Sequence, residues 1–216
     1  MVIQWYGHSC FKILSGNMVI AVDPYSKDFG RPPPRFKANI LLITHAHPDH
    51  SNQASIMGDP FVISSPGEYE LSGIFVQGIE TFHDALRGKT CGLNTAYKIV
   101  LEDIRILHLG DFGEEEIRNE VLDAIGEIDV LCVPVGGADT IGAAQAAKVV
   151  KQIEPGYVIP MHYTLPGVKN AKRDDIDAFL KEMGAGKAVP EEKLMLKKKD
   201  LSEAGGKAKV VVLKPM

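Results

Sequence analysis

The sequence predicts an α/β fold in which sheets lie inside and helices lie outside, and three observations support this prediction. The first half of the chain consists of short β-rich segments, and the second half alternates strand-like segments with helical ones. The segment at residues 39–44 (NILLIT) is almost wholly apolar, which is typical of a strand buried on both faces. The chain has 216 residues without an evident linker or internal repeat, so we expect a single domain over residues 1–216.

The first half of the chain is expected to begin with three strands, at residues 2–6, 10–14 and 18–23. The tripeptide SGN at residues 15–17 predicts a hairpin turn between the second strand and the third. After the apolar strand at residues 39–44, further strands are predicted at residues 61–64, 74–78, 95–101 and 104–110.

Helical spacing first appears at residues 114–126, where acidic residues stand at the beginning and a glycine at the end. A second helix is predicted at residues 140–153 with Thr140 as its N-cap, and a third at residues 174–183. Apolar strands are predicted at residues 128–135 and 157–163, and two final strands at residues 193–199 and 209–215. We interpret the run KKKD at residues 197–200 as a solvated strand end.

Composition and charge argue against several classes of partner. The net charge is −4 and the basic residues are spread along the chain, so a nucleic-acid partner is not expected. No charged segment followed by an apolar one begins the sequence, and no apolar run reaches the roughly 20 residues of a membrane helix. The three cysteines form no CxxC pair, which favours reduced thiols. We therefore expect a cytoplasmic protein with a small-molecule substrate, and the sequence leaves its oligomeric state open.

The stretch THAHPDH at residues 44–50 gathers three of the seven histidines in the chain directly after a buried strand. Side chains two residues apart in an extended segment point the same way, so His45 and His47 can reach one metal ion together. After a turn, Asp49 and His50 can face a second ion. Imidazole and carboxylate ligands suit Zn²⁺ and the neighbouring transition metals. A chance match in a polar loop is the alternative, and the composition makes it rare.

Two metal ions need more ligands than this stretch supplies, because each takes about three protein ligands and keeps a position for water. Three further candidates, His83, Asp111 and His162, stand at the ends of predicted strands. A lone histidine at a strand end is more often structural, but several that follow one ligand motif favour a metal centre. His108 competes with His83 for the first ion. It lies inside a predicted strand, so we interpret it as a packing residue or a hydrogen-bonding neighbour of the ligands.

These motifs carry a resemblance to a known family. The stretches YGHSCFKI, THAHPDH, FHD, GLNTAYKI, ILHLGDFG, VPVGGADTI and VIPMHY resemble, in this order, the metallo-β-lactamase superfamily of hydrolases. They are most similar to the compact branch that includes L-ascorbate-6-phosphate lactonase-like proteins. The likeness spans nearly the whole chain, and it is specific for the superfamily but not for a substrate.

The resemblance implies a four-layer αββα sandwich with two divalent metal ions at one edge of its facing sheets. The implied ligands form two sets joined by one bridging residue: His45, His47 and His83 on the first ion, Asp49, His50 and His162 on the second, and Asp111 between them. Zinc is the expected metal, and manganese or iron fits the same ligands.

The expected chemistry is hydrolysis of a small ester, a lactone or a phosphodiester. Two ions roughly 3.5–4 Å apart can share a hydroxide that attacks the substrate, and Asp49 is expected to orient it. His8 is expected either to contact the substrate and protonate a leaving group or to be a hydrogen-bonded structural residue. Asp23 is expected to fix the tautomer of a ligand histidine, with a turn-forming aspartate before Pro24 as the alternative.

Asn94, Tyr163 and Thr140 adjoin the motifs and are candidate substrate contacts, although a structural role is favoured for each. Two other functions remain open: a metallonuclease acting on RNA or DNA, and a metal-binding module without turnover. Redox relatives usually carry glutamate where this chain has His47, which favours hydrolysis. Nuclease relatives carry an added domain or a basic arm, and neither is visible here.

Overall fold

Two β-sheets packed face to face form the centre of the structure, a computed structural model that describes residues 1–168, 172–186, 188–201 and 208–216. In chain order, the strands in these residues are β1 (Val2–Gly7), β2 (Cys10–Ser15), β3 (Met18–Val22), β4 (Phe36–Lys37), β5 (Ile40–Leu42), β6 (Ile56–Met57), β7 (Phe61–Ile63), β8 (Gly67–Leu71), β9 (Ile74–Phe82), β10 (Leu93–Leu101), β11 (Ile104–His108), β12 (Val130–Pro134), β13 (Tyr157–Met161), β14 (Leu194–Met195) and β15 (Lys209–Val210). The α-helices are α1 (Asn119–Ile125), α2 (Ala143–Ile153), α3 (Ile176–Glu182) and α4 (Lys198–Leu201). No helix in these ranges combines the length and the apolar character that crossing a membrane requires.

The strand order places the ends of several parallel strands together. The first sheet has the order β14-β1-β2-β3-β5-β7, and the second has the order β15-β13-β12-β11-β10-β9-β8. In the first sheet β3, β5 and β7 run parallel, and in the second β11, β12, β13 and β15 do. Because parallel strands end at the same edge of a sheet, the loops after β3 and β5 are neighbours, and so are the loops after β11, β12 and β13.

The core between the sheets follows from the alternation of side chains along each strand. Ile20 and Ile40 of the first sheet belong to the same buried cluster as Ile99 and Ile106 of the second. This cluster extends from residue 3 to residue 213, so both ends of the chain contribute to it. The facing sheets therefore provide a rigid platform for the loops at their edge.

The outer layers differ between the two sheets. Helix α1 contacts β9, and α2 contacts β12, so helices cover the second sheet. The outer face of the first sheet, through Ala21 and Leu41, packs on Phe36 of β4 and Ile56 of β6. The predicted α/β sandwich is confirmed. The short parallel pair β4–β6 packs on the outer face of the first sheet.

Helix α1 is shorter than the helix predicted at residues 114–126, because it begins only at Asn119. The carboxylate of Glu114 accepts a hydrogen bond from the Phe82 N–H at 3.0 Å and another from Arg118 Nε at 2.8 Å. This acidic side chain therefore holds the end of β9, and residues 114–118 do not form a helical turn. Tertiary contacts override the helix-forming tendency of the local sequence.

Helix α2 also begins later than predicted, at Ala143, and its N-cap is Gly142, so the prediction of Thr140 as the cap is wrong. The Thr140 hydroxyl donates instead to the Gly137 carbonyl at 3.2 Å.

The interpretation of residues 197–200 as a strand end is wrong as well, because α4 begins at Lys198. The carboxylate of Asp200 accepts a hydrogen bond from the Lys197 N–H at 2.8 Å, which favours a turn over an extended chain.

Candidate metal centre

Side chains from the ends of several strands converge where the edges of the two sheets meet. The contributing positions are His8 after β1, Asp23 after β3, residues 44–50 after β5, His83 after β9, Asp111 after β11 and His162 after β13. Two hydrogen bonds tie the sheets together here: the Thr95 N–H donates to the Thr44 carbonyl, and the Tyr97 hydroxyl donates to the Ile43 carbonyl, both at 2.9 Å.

Asp111 lies at the centre of this cluster. Its Oδ2 atom is 3.2 Å from His50 Nε2, 3.3 Å from His83 Nε2 and 3.1 Å from His162 Nε2. These three ring nitrogens are buried and form no hydrogen bond with any described residue. Burial raises the pKa of Asp111, but His162 and His50 outweigh this effect and hold the pKa well below its usual value, so the group is a carboxylate. Buried nitrogens without partners around a carboxylate fit a metal cation, which would accept their lone pairs.

Hydrogen bonds at Nδ1 orient the rings of two of these candidate ligands. His83 Nδ1 donates to the carbonyl of Asp139 at 3.1 Å. His45 Nδ1 lies 2.9 Å from Thr44 Oγ1, whose own hydrogen atom is donated to Asp23 Oδ2 at 2.8 Å. The ring of His45 is therefore the donor in its contact with the hydroxyl. With Nδ1 protonated, Nε2 keeps its lone pair for a metal ion.

Asp23 orients a further ligand and ties it to the same network. Its carboxylate accepts hydrogen bonds from the Thr44 N–H and the Thr44 hydroxyl, both at 2.8 Å, and from His50 Nδ1 at 2.9 Å. Its backbone has a φ of 45°, while His8 and His162 have φ values of 55° and 59°. Non-glycine residues rarely adopt this left-handed conformation, and such strain concentrates at functional sites.

Replacing Asp23 by asparagine is expected to weaken metal binding about 10- to 100-fold, because His50 loses the acceptor that fixes its tautomer. Competition with a chelator of known affinity measures this change. Asp59→Asn alters an exposed aspartate and should leave the affinity unchanged. Metal affinity equal to that of the wild type in Asp23→Asn would show that Asp23 serves only the turn before Pro24.

The candidate ligands among the described residues form overlapping groups. In one group, the ligand atoms of His45, His47 and His83 lie within 4.8 Å of one another. His45 also forms such a group with His50 and Asp111. Burial and the neighbouring His50 lower the pKa of His45 to about 2, so its ring is neutral and available as a ligand at physiological pH.

His108 lies beside the cluster without facing it. Its Nε2 atom donates to the Ser9 carbonyl at 2.9 Å, and its Nδ1 atom accepts from the Gly110 N–H at 3.1 Å. Both ring nitrogens are therefore used. This arrangement favours His83 over His108 as the ligand of the first ion.

Asp49 pairs with His8 beside this cluster. Its Oδ2 atom lies 3.0 Å from His8 Nε2 and 4.0 Å from Arg173 Nη2. His8, which is fully buried, is the residue whose ligand atom groups with those of His50 and His162 within 4.8 Å. Burial and the two neighbouring histidines lower the pKa of His8, so a neutral ring donates to Asp49. In this structure the Asp49 carboxylate accepts a hydrogen bond from His8. That Asp49, His50 and His162 hold the second ion stays a prediction.

The structure corrects the expected role of Asn94, which is 1% exposed and cannot contact substrate. Its Nδ2 atom donates to Thr81 Oγ1 at 2.7 Å and to the Leu109 carbonyl at 2.8 Å. Its Oδ1 atom accepts from the Asp111 N–H at 3.0 Å, so Asn94 positions the central aspartate. Gly110 has a φ of 57°, and a Cβ there would lie 2.4 Å from Asn94 Oδ1, which explains why glycine occupies this position.

The two other candidate substrate contacts are also buried. Tyr163 packs against Trp5 with ring centroids 5.2 Å apart, and burial raises the pKa of its hydroxyl. Thr140 lies under the cluster, where its hydroxyl is 3.5 Å from His162 Nδ1. In this structure Tyr163 therefore packs against Trp5, and Thr140 supports the candidate ligand His162. Neither is placed as the substrate contact that was expected.

Three residues of the site escaped the sequence analysis. Thr44 and Ser9 stand inside the motifs, and Ser9 Oγ lies 3.4 Å from Asp111 Oδ1. Their position directly beside a candidate histidine is the signal that could have identified them. Arg173 belongs to no motif and follows a loop after β13, so the sequence contains no local signal for its approach to Asp49.

Comparisons with known proteins identify the family of this chain. A family model described as the beta-lactamase superfamily domain matches residues 2–162. A UPF0173 metal-dependent hydrolase of Pyrococcus horikoshii is 32% identical over 247 residues, covering 99% of this chain and 96% of that protein. A UPF0173 metal-dependent hydrolase of Thermococcus onnurineus is 29% identical over 246 residues, with the same 99% and 96% coverage.

A solved structure shows the same fold. It is that of a candidate Zn-dependent hydrolase of the metallo-β-lactamase superfamily from Thermotoga maritima, with a TM-score of 0.79 and 33% identity. The match covers 98% of this chain and 97% of that one. From the family model, the relatives and this structure together, the chain belongs to the metallo-β-lactamase superfamily and, within it, to the UPF0173 family of metal-dependent hydrolases.

Proposed function

We propose that this protein is a hydrolase with two divalent metal ions, acting on a small ester, lactone or phosphodiester. One observation carries the proposal. Three buried Nε2 atoms, those of His50, His83 and His162, lie 3.1–3.3 Å from Asp111 Oδ2, and His45 Nε2 lies 4.0 Å from it. A single carboxylate surrounded by four imidazole rings is better suited to bridge two metal ions than to bind one ion alone.

The ligands divide into two sets about this bridge. We assign the first ion to the set of His45, His47 and His83, which the family resemblance implies together. We assign the second ion to His50 and His162, with His8 and Asp49 beside them as a hydrogen-bonded pair. When bound, such ions supply a water molecule of lowered pKa and stabilise negative charge that develops on the substrate.

The chain itself supplies orientation and proton handling. Asp23, Thr44 and the Asp139 carbonyl fix the ring orientation of the ligands, which keeps their lone pairs directed inward. Burial raises the pKa of Asp49, but the hydrogen bond from His8 outweighs it and lowers the pKa, so the group is an ionised acceptor at the mouth of the site. This half-exposed carboxylate is placed to orient an attacking water by accepting a hydrogen bond from it.

Two observations support the finer assignments. Zinc is favoured because the ligand set is rich in imidazole and because the relative from Thermotoga maritima is described as Zn-dependent. A lactone is included among the substrates because the motifs resemble the lactonase-like branch. A nucleic-acid substrate is disfavoured by the net charge of −4.

Elemental analysis followed by a substrate panel tests the proposal. We expect about two metal ions per chain, with turnover of 4-nitrophenyl esters, simple lactones or bis(4-nitrophenyl) phosphate that EDTA abolishes and added Zn²⁺ restores. Single-stranded RNA is included in the panel as the substrate that tests for nuclease activity. Protein that holds metal but turns over none of these substrates would support the metal-binding module instead, and cleavage of RNA alone would support the nuclease.

A further inference from the structure

We propose that Arg173 forms an anion-binding subsite beside the metal centre, so that the substrate carries a phosphate or carboxylate group in addition to the bond that is cleaved. This inference rests on the proposed function, since it names the class of substrate for the same site. It starts from the positively charged side chain of Arg173. The ligand motifs did not predict this residue, and the hydrolysis proposed above does not use it.

The guanidinium of Arg173 is partly buried and forms no hydrogen bond with another described residue. Its side chain is 13% exposed. The carboxylate it approaches among the described residues is Asp49, and Nη2 stops 4.0 Å from Oδ2, which is beyond hydrogen-bond distance. That same oxygen already accepts the hydrogen bond from His8 at 3.0 Å. The five N–H donors of this partly exposed guanidinium form no hydrogen bond with a described residue, and an oxyanion at the site could accept two of them.

The backbone holds Arg173 in a defined place. The Thr164 N–H donates to the Asp174 carbonyl at 3.0 Å, and the Asp174 N–H donates to the Gly136 carbonyl at 2.8 Å. The Thr164 hydroxyl donates to the Arg173 carbonyl. Gly136 permits this close approach, because a Cβ there would lie 3.2 Å from Arg173 Cβ and 2.2 Å from the His162 carbonyl oxygen. The arginine is therefore attached to the loop that carries the ligand His162, and its position relative to the cluster is set.

The charges around Arg173 favour an anion at this position. Its positive charge lies beside the cluster, with Nη2 4.0 Å from Asp49 Oδ2. Any interaction of Asp49 with the metal centre would leave less of its charge for the guanidinium. Arginine binds phosphate and carboxylate groups through two parallel hydrogen bonds, so the subsite would select oxyanions by geometry as well as by charge.

The competing interpretation is that Arg173 only stabilises Asp49 and thereby the metal centre. The two interpretations differ in what the variant loses. A stabilising role predicts loss of metal in Arg173→Gln, whereas a substrate-binding role predicts intact metal content and weaker binding of anions.

The test uses Zn²⁺-loaded wild type, Arg173→Gln, Arg173→Lys and the control Arg35→Gln, which removes an exposed arginine. Metal content is measured first. Binding of inorganic phosphate and of acetate is then measured by calorimetry, which separates the two classes of oxyanion. We expect Arg173→Gln to keep its metal and to bind the preferred anion about 10-fold or more weakly, which corresponds to about 1.4 kcal/mol. Arg173→Lys should lie between it and the wild type, and Arg35→Gln should match the wild type.

Kinetics provide a second readout. The loss of kcat/KM in Arg173→Gln should be at least about 10-fold for mono(4-nitrophenyl) succinate, an ester whose carboxylate is separate from the cleaved bond, and within about 2-fold for the neutral 4-nitrophenyl acetate. Equal anion binding in Arg173→Gln and wild type, or loss of metal from Arg173→Gln, would overturn the inference. If the wild type turns over no substrate but binds anions through Arg173, the proposed function fails while the subsite stands.

Discussion

Replacing Asp111 by asparagine is expected to remove most of the bound metal and to lower kcat/KM by at least about a thousandfold, or about 4 kcal/mol of transition-state stabilisation. Asparagine has nearly the same shape, so the change isolates the charge. Three buried Nε2 atoms lie within 3.3 Å of Asp111 Oδ2, and no other described carboxylate occupies that position. Without the negative charge, two cations among several imidazoles would repel each other with no bridge between them.

Metal analysis and kinetics measure this effect, and circular dichroism shows whether the variant folds. Asp59→Asn serves again as the matched control, because it neutralises an exposed aspartate. Two ions per chain and near wild-type turnover in Asp111→Asn would refute the bridging role of Asp111.

Removing the metal from the wild type is expected to produce the second large effect, a marked loss of stability. Ligands that bind only the folded protein stabilise it by RT ln(1 + [L]/Kd), which is about 4 kcal/mol when free metal exceeds Kd a thousandfold. The reason here is structural, because at least six buried polar side chains are gathered at one sheet edge and a cation offsets the cost of gathering them. The melting temperature before and after chelation, and after restoring Zn²⁺, measures the effect. An unchanged melting temperature would mean that the hydrogen-bond network alone supports the site.

The stabilisation by metal should also depend on pH. Burial lowers the pKa of His50, but Asp111 and Asp23 outweigh it and raise the pKa of the metal-free ring well above its usual value. A raised pKa stabilises the metal-free fold fully below the unfolded value of about 6.5, and this stabilisation is lost as pH rises through the folded pKa. Metal needs the neutral ring. The difference in melting temperature between loaded and metal-free protein should therefore shrink as the pH falls through the raised pKa of His50, a decline that begins above pH 6.5. A difference that grows toward acid pH would contradict this account.

Much of the fold followed from local patterns. The hairpin strands at residues 2–23 and the apolar strand before the histidines were predicted because period-two alternation and apolar runs are properties of short segments. The predictions failed where a distant partner decided the outcome. Glu114 binds the end of β9 and delays helix α1, and the hydroxyl of Thr140 turns to Gly137 and does not cap α2.

The sequence by itself determined which chemical groups stand at the strand ends, because a strand followed directly by His45, or by Asp111 shortly after β11, is a local feature of the chain. It thereby indicated the superfamily, which the comparisons confirm. Only the tertiary structure decided what those groups contact. Asn94 supports Asp111, Asp49 turns to His8, and Arg173 approaches Asp49, each across more than fifteen residues of chain. Such contacts depend on how the two sheets pack against each other. Residue type and periodicity are local properties, and they do not encode which distant side chains the packing brings together.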